Sequence, residues 1–466
     1  MSSDRYDCLV IGGGPGGYHA AIRARQLGLR AALVEREHLG GICLNWGCIP
    51  TKALLRAAEI RHWLGAAAEF GLEVGPVRVD IAAVVARSRR IATRLNAGVK
   101  HLLAKNGVDV IDGHARLEGP GAVRVQRDAG SLLLRSDHIV LATGARARGL
   151  PGLAADGDRI WSYRHAMVPD ALPRSLLVVG SGAIGIEFAS FYRDLGSSVT
   201  ALEILPRILP AEDAEISAYA RKAFERQGIA IHTGASVTSV ERSGDGILAR
   251  GTLASGELAS FEAERMILAV GIAGNVEDLG LETTAVRVER GQIAVDAWCR
   301  TDQPGIFAVG DVAGPPYLAH KANHEGILCA EQIAGHAGAE PLDRTRIPGC
   351  TYSRPQIASI GSSEEAAREA GIAVRIGRFS LRGNGKALAL GDTTGLVKTI
   401  FDAATGELLG AHLIGPEVTE MIQGFVLART LEATEAELFS AIFPHPTISE
   451  AMQESVLDAF GRAIHI

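Results

Sequence analysis

The chain carries two glycine-rich turns, each set between an apolar strand and a helix, and each followed by an acid at the same remove. No other feature narrows the fold so far. The first turn, Gly12-Gly13-Gly14-Pro15-Gly16-Gly17, follows Cys8-Leu9-Val10-Ile11. A segment of helical character runs from Tyr18 to Leu29, and Ala31-Ala32-Leu33-Val34 closes on Glu35. The second, Gly180-Ser181-Gly182-Ala183-Ile184-Gly185, follows Leu176-Leu177-Val178-Val179. A helix is expected from about Ile184 to Leu195, and Val199-Thr200-Ala201-Leu202 closes on Glu203. Glycine is abundant, 55 of 466 residues, so the bare G-x-G-x-x-G pattern at Gly12, Gly14 and Gly17 is expected by chance about once. The repeated distance from Gly17 to Glu35 and from Gly185 to Glu203 is not explained by abundance.

Strand–helix–strand units of about thirty residues build parallel sheets with right-handed crossovers, so two of them predict two Rossmann-like domains. Such a turn lets backbone approach a pyrophosphate at a helix N-terminus, where free N–H groups and the dipole favour negative charge. Glu35 and Glu203 would then accept hydrogen bonds from ribose hydroxyls. An acid at Glu203 also repels a 2′-phosphate, which favours NAD over NADP. Arg207 is the opposing charge nearby and reads as a solvated loop residue after Pro206.

Composition excludes several other classes. Net charge is −6 and no block of lysine or arginine stands out, which disfavours a nucleic-acid partner. The apolar runs are strand-sized, so no membrane span is expected. Met1 to Asp7 shows no signal-peptide pattern, and the expectation is a cytoplasmic protein. In a reducing compartment, a close pair among the six cysteines is catalytic or metal-binding sooner than structural.

One such pair exists, in Gly40-Gly41-Ile42-Cys43-Leu44-Asn45-Trp46-Gly47-Cys48-Ile49-Pro50-Thr51-Lys52. Two cysteines at this separation, with Gly47 between them, can close a small disulfide ring. Pro50 fits the first turn of a helix, and a thiolate at Cys48 beside that helix start would have its pKa lowered. An accessible pair of this kind suits two-electron exchange. A metal site would need two further ligands that no nearby spacing supplies.

This segment resembles the redox motif of the pyridine nucleotide-disulfide oxidoreductases, and among them the dihydrolipoamide dehydrogenases. The similarity extends over essentially the whole chain. It includes Ala142-Thr143-Gly144, Ile306-Phe307-Ala308-Val309-Gly310-Asp311, Leu318-Ala319-His320-Lys321-Ala322 and Phe443-Pro444-His445-Pro446-Thr447-Ile448-Ser449-Glu450. The resemblance implies an α/β fold of four successive regions: an FAD-binding domain over 1–147 with the redox disulfide, and an NAD-binding domain over 148–276. A central domain over 277–346 would complete the FAD site, and an α+β dimerisation domain would occupy 347–466.

The resemblance also implies roles. Cys43 would exchange with a dithiol substrate and Cys48 would lie against the flavin, with Lys52 near the flavin N5 region and paired with Glu187. Gly12, Gly14, Gly17, Glu35, Thr143, Gly144, Asp311 and Ala319 would contact FAD, Asp311 at the ribityl chain and His320 through its backbone. Gly180, Gly182, Gly185, Glu187 and Glu203 would serve NAD. His445 would take the thiol proton and Glu450 would hold the imidazole. Without the resemblance, a histidine clamped between Pro444 and Pro446 near a chain end reads as structural. The implied cofactors are FAD and NAD, and no metal is expected. The implied partner is a lipoyl-bearing acyltransferase or a glycine cleavage H protein, acting on a homodimer whose His445 reaches the other subunit's site. Basic residues would stand at Glu203 in a glutathione reductase, and a cysteine pair would end a mercuric reductase. A structural subunit would leave Cys43 and Cys48 unexplained. One departure stands out: Ala322-Asn323-His324 occupies a stretch where the family often carries acids. Cys8, Cys299, Cys329 and Cys350 read as buried or free thiols.

Overall fold

The computed structural model describes residues 5–465. They form two compact units, each assembled from three stretches of chain: 1–53, 83–148 and 271–342 in the first, and 54–82, 149–270 and 343–466 in the second.

In the first unit, β1 (Arg5–Ile11) runs into the glycine turn and α1 (Pro15–Gln26), and β2 (Ala31–Glu35) returns parallel to β1, Cys8 beside Ala31 and Ile11 beside Val34. The sequence placed this helix at 18–29. It starts earlier because Pro15 occupies its first turn and Gly14 stands at the N-cap, a boundary that an alanine- and arginine-rich pattern does not mark. Strands Asp109–Asp112 and Gly130–Leu141 flank the β1–β2 pair in parallel, and Ile306–Ala308 pairs with Gly130–Leu141. The chain beyond 271 therefore completes the first sheet. Under it lie Val10, Ala20, Ala24, Leu33 and Val140, all withdrawn from solvent, beside helix Ala319–Ile333 and α4 (Ile81–Lys105); between α1 and α4 come α2 (Gly41–Trp46) and α3 (Cys48–Gly65).

The second unit repeats the motif. Strands Ser175–Val179 and Ser198–Glu203 flank helix Ala183–Leu195, in a parallel sheet with Ile229–Thr233, Arg265–Leu268 and Ile160–Trp161. In both copies a side chain at the first glycine is impossible. Gly12 has φ +106° and Gly180 +97°, and a Cβ would run into the Ala142 or the Ala269 carbonyl. This unit also holds an antiparallel sheet in the order Gly349–Thr351, Gln356–Gly361, Leu408–Gly415, Leu396–Asp402, Val374–Ser380, with helices Val418–Thr430 and Glu450–Ala459 against it. Among the described residues no helix is long and apolar enough to cross a membrane.

Candidate active site

Cys43 lies on the short α2 and Cys48 opens the 18-residue α3, with Gly47 as the break between them. They form a disulfide with Cα atoms 4.7 Å apart. Thr51 N–H donates to the Gly47 carbonyl at 3.0 Å, so Cys48 sits in the first turn of α3, which holds no acid. A Cys48 thiolate there faces the positive end of the helix dipole.

The loop that carries the pair is fastened to the first glycine turn. Gly40 N–H donates to the Gly13 carbonyl at 2.8 Å, and Gly41, at φ +55°, packs so close that a Cβ on it would stand 2.7 Å from the Gly14 Cα. From the other side α4 supports the loop: Asn96 Nδ2 donates to the Leu39 carbonyl at 2.7 Å, and the Arg89 guanidinium donates to the Asn45 carbonyl while lying 4.4 Å over the Trp46 ring. The sequence reading missed Arg89 and Asn96. They stand some fifty residues downstream in an ordinary amphipathic helix, and only its packing reveals their role.

Each turn offers what a dinucleotide needs. Helices Pro15–Gln26 and Ala183–Leu195 both begin at a glycine N-cap without a side-chain hydrogen bond, which leaves their first N–H groups for an anion. Open space surrounds the Gly182 Cα, and near Gly14 a Cβ would approach only Gly41. The two acids occupy equivalent positions. Glu35 Oε2 accepts from Gly13 N–H at 2.6 Å and Oε1 from Glu37 N–H at 2.7 Å. Glu203 Oε2 accepts from Ser181 N–H at 2.8 Å and Oε1 from Leu205 N–H at 2.9 Å. Arg207 is ion-paired with Glu365 at 2.9 Å, so its charge is already engaged.

Asp311 is the second residue of the short turn Gly310–Ala313 in the first unit. Its carboxylate accepts no hydrogen bond from the described residues, and burial pushes its carboxyl up against the pull of Lys321. That unsatisfied acceptor is the kind of group a polyol hydroxyl would pair with. The turn itself is pinned from helix Ala319–Ile333. Lys321, 1% exposed, donates to the Gly314 carbonyl at 2.7 Å and pairs with Glu325 at 3.1 Å; Glu325 in turn accepts from Gly310 N–H at 2.8 Å. Thr143 Oγ1 donates to the Asn275 carbonyl at 2.8 Å, and Gly144 turns the chain at φ +69°. Ala319 is the first residue of its helix. Lys52 lies on α3 in the first unit, while Glu187 is buried in the second and accepts from Tyr352 N–H at 2.9 Å.

His445 and Glu450 are brought together. His445 Nδ1 lies 2.8 Å from Glu450 Oε1, and Thr447 N–H donates to Oε2 at 2.8 Å. Burial works against the Glu450 charge, yet the Thr447 N–H and the imidazole more than offset it and hold the carboxyl below its ordinary range. With Nδ1–H directed at the carboxylate, Nε2 carries the lone pair. The imidazole is 78% exposed. Of the remaining cysteines, Cys8, Cys299 and Cys329 are buried and Cys350 partly so.

The sequence matches the family described as pyridine nucleotide-disulphide oxidoreductase over residues 6–326, and that family's dimerisation domain over residues 347–456. The chain is 54% identical to the dihydrolipoyl dehydrogenase of Rhizobium etli over 479 residues, covering 99% of this chain and 100% of that protein. Identity to the dihydrolipoyl dehydrogenase of Zymomonas mobilis is also 54%, over 464 residues with 99% and 100% covered. Among solved structures, LpdA from Mycobacterium tuberculosis shares the fold with a TM-score of 0.89 at 29% identity, over 96% of this chain and 98% of that one. The HOCl-induced flavoprotein disulfide reductase RclA from Escherichia coli follows at 0.85 and 27%, over 97% and 99%. The dimerisation domain supports assembly as a homodimer. A fold that repeats the nucleotide turn, a cysteine pair tied to one copy of it, and family matches along nearly the full length lead to one conclusion: this chain belongs to the pyridine nucleotide-disulphide oxidoreductase family.

Proposed function

We infer that the chain oxidises dihydrolipoyl groups, passing two electrons through the Cys43–Cys48 disulfide and FAD to NAD+. The observation that carries the reading is the tether between the disulfide loop and the glycine turn, Gly40 N–H to Gly13 O, which sets a redox pair beside a dinucleotide site. Bound FAD would supply the two-electron link between the dithiol and the nicotinamide.

The residues divide the work as follows. His445 Nε2 takes the proton of the first substrate thiol, and Glu450 holds the resulting imidazolium through Nδ1–H. The substrate thiolate attacks Cys43 Sγ; the Cys43–Cys48 bond breaks and Cys48 leaves as a thiolate, favoured by the start of α3. The second substrate thiol, once deprotonated, attacks its own mixed disulfide and releases Cys43, so that the lipoyl group departs oxidised and the cysteine pair is left reduced. Gly12, Gly14, Gly17, Glu35, Thr143, Gly144, Asp311 and Ala319 would bind FAD. Gly180, Gly182, Gly185 and Glu203 would bind NAD, and Lys52 would pair with Glu187 near the flavin.

Supporting a trans arrangement, the His445 imidazole is largely exposed within its own chain. We therefore assign it to the partner subunit's disulfide across the dimer. The proposed division remains 1–147 for FAD, 148–276 for NAD, 277–346 as the central domain and 347–466 for dimerisation. The lipoyl group would be carried by an acyltransferase core or a glycine cleavage H protein in the cytoplasm. Mixing the purified yellow protein with dihydrolipoamide and NAD+ and following NADH absorbance tests the reading: no NADH, from protein that retains its flavin, would overturn it.

A further inference from the structure

A buried ammonium stands in the second unit. Lys398, on strand Leu396–Asp402 of the antiparallel sheet, is 2% exposed. Its Nζ lies 2.9 Å from Asp213 Oδ1, 3.1 Å from Glu215 Oε2 and 2.8 Å from Glu364 Oε2. Arg378 adds a second cation, 2.8 Å from Glu215 and 3.4 Å from Glu364. Desolvating an ammonium is costly unless it is paired and hydrogen-bonded on several sides, and here it is.

What the cluster grips is the way out of the second glycine turn. Asp213 is the N-cap of helix Ala214–Arg226 and accepts from Glu215 N–H at 3.0 Å. One turn on, Ser217 Oγ donates to the Ile208 carbonyl at 2.5 Å. The next residue, Leu209, held at φ +46°, donates its N–H to the Ser181 carbonyl at 2.9 Å. Ser181 is the second residue of the glycine turn, and its N–H and hydroxyl both bind Glu203. Ser181, Ile208, Leu209, Asp213, Ser217 and Lys398 are all at most 2% exposed. The path from the antiparallel sheet to the nucleotide turn is thus continuous and dry.

We propose that Lys398 is a positioning residue for the nicotinamide dinucleotide, fixing the 204–213 segment, and through it Ser181 and Glu203, from the sheet of the dimerisation region. The inference rests on the assignment of NAD to the second turn. The ion partners of Lys398, namely Asp213, Glu215 and Glu364, all belong to the second unit with the second turn, so its effect is expected in the NAD+ half-reaction.

The test pairs Lys398→Met with Ser217→Ala, which cuts the relay without disturbing the charges. Steady-state kinetics should show KM for NAD+ rising about tenfold in Lys398→Met and a few-fold in Ser217→Ala, within the usual range of coupling between sites. KM for dihydrolipoamide, and the anaerobic rate at which dihydrolipoamide reduces the flavin without NAD+, should stay within twofold of wild type. Unchanged NAD+ affinity in both variants, or equal damage to both half-reactions, would overturn the proposal. Should Lys398→Met not yield a flavin-bound dimer, Ser217→Ala decides alone: an unchanged NAD+ KM refutes the relay. Direct titration with NADH reads the same effect as a change in Kd. If wild-type protein makes no NADH from dihydrolipoamide, the functional reading fails while the titration still judges Lys398.

Discussion

Replacing Glu450 by Gln keeps the size of the side chain but removes its charge and leaves one acceptor oxygen, so Thr447 N–H and His445 Nδ1–H can no longer both be accepted. In the structure the carboxylate meets His445 Nδ1 at 2.8 Å. A charge pair about 4 Å apart is worth about 1 kcal/mol in water and about 4 kcal/mol at an effective dielectric of 20. The imidazole is 78% exposed in its own chain, which sets the lower figure; burial against a partner subunit would move it towards the higher one. At about 1.4 kcal/mol per tenfold, Glu450→Gln should slow the dihydrolipoamide half-reaction about 5- to 700-fold, with NAD+ KM unchanged. His445→Ala, which removes the base altogether, should cost about 10²–10⁴-fold. Stopped-flow reduction of the bound flavin by dihydrolipoamide, without NAD+, measures both. A Glu450→Gln rate within twofold of wild type, beside a crippled His445→Ala, would show that the carboxylate does not support the proton transfer. An unimpaired His445→Ala would remove the histidine from the mechanism.

Cys43→Ser should abolish lipoyl turnover while the yellow spectrum persists, because the pyrophosphate turn is separate from the cysteine sulfur; loss of flavin from a folded variant would contradict that separation. Gly41→Ala places a Cβ 2.7 Å from the Gly14 Cα at φ +55° and should destabilise the chain by about 1–3 kcal/mol, with weakened flavin retention; a denaturation midpoint and flavin content equal to wild type would count against the tether. Burial opposes the charge on Asp213 and Glu215, but Lys398 holds the Asp213 carboxyl below its ordinary 3.8, Arg378 and Lys398 hold Glu215 below its ordinary 4.5, and the Lys398 hydrogen bond does the same for Glu364. Depressed folded-state values contribute stability that is present above about pH 4.5 and lost as pH falls through the lower folded values. Denaturant titrations between pH 6 and 3 should show that loss in wild type and a flatter dependence in Lys398→Met.

Local grammar carried far in this chain. The turns at Gly12 and Gly180, the acids at Glu35 and Glu203 and the Cys43–Cys48 pair all appear in the sequence because each is specified by neighbours within one strand–turn–helix unit. Helix Ala183–Leu195 lies within a residue of its expected place, since its apolar periodicity and glycine boundaries are local too. The start of α1 at Pro15 departs by three residues, the cost of reading composition where the cap is a glycine without a side-chain signal.

Side chains that meet across the fold leave no such mark. Arg89 and Asn96 look like any polar face of a long helix until α4 is laid against the disulfide loop. Lys398 sits in an apolar strand, 185 residues from Asp213, and nothing along the chain announces that the two will share a dry interior. From its residues alone, this chain determined the repeated nucleotide turn and the redox pair, because hydrogen bonds and steric limits over a few residues are enough to specify them. Only the tertiary structure decided which distant groups brace those motifs, because the balance between desolvating a charge and pairing it is settled by what folding packs beside it.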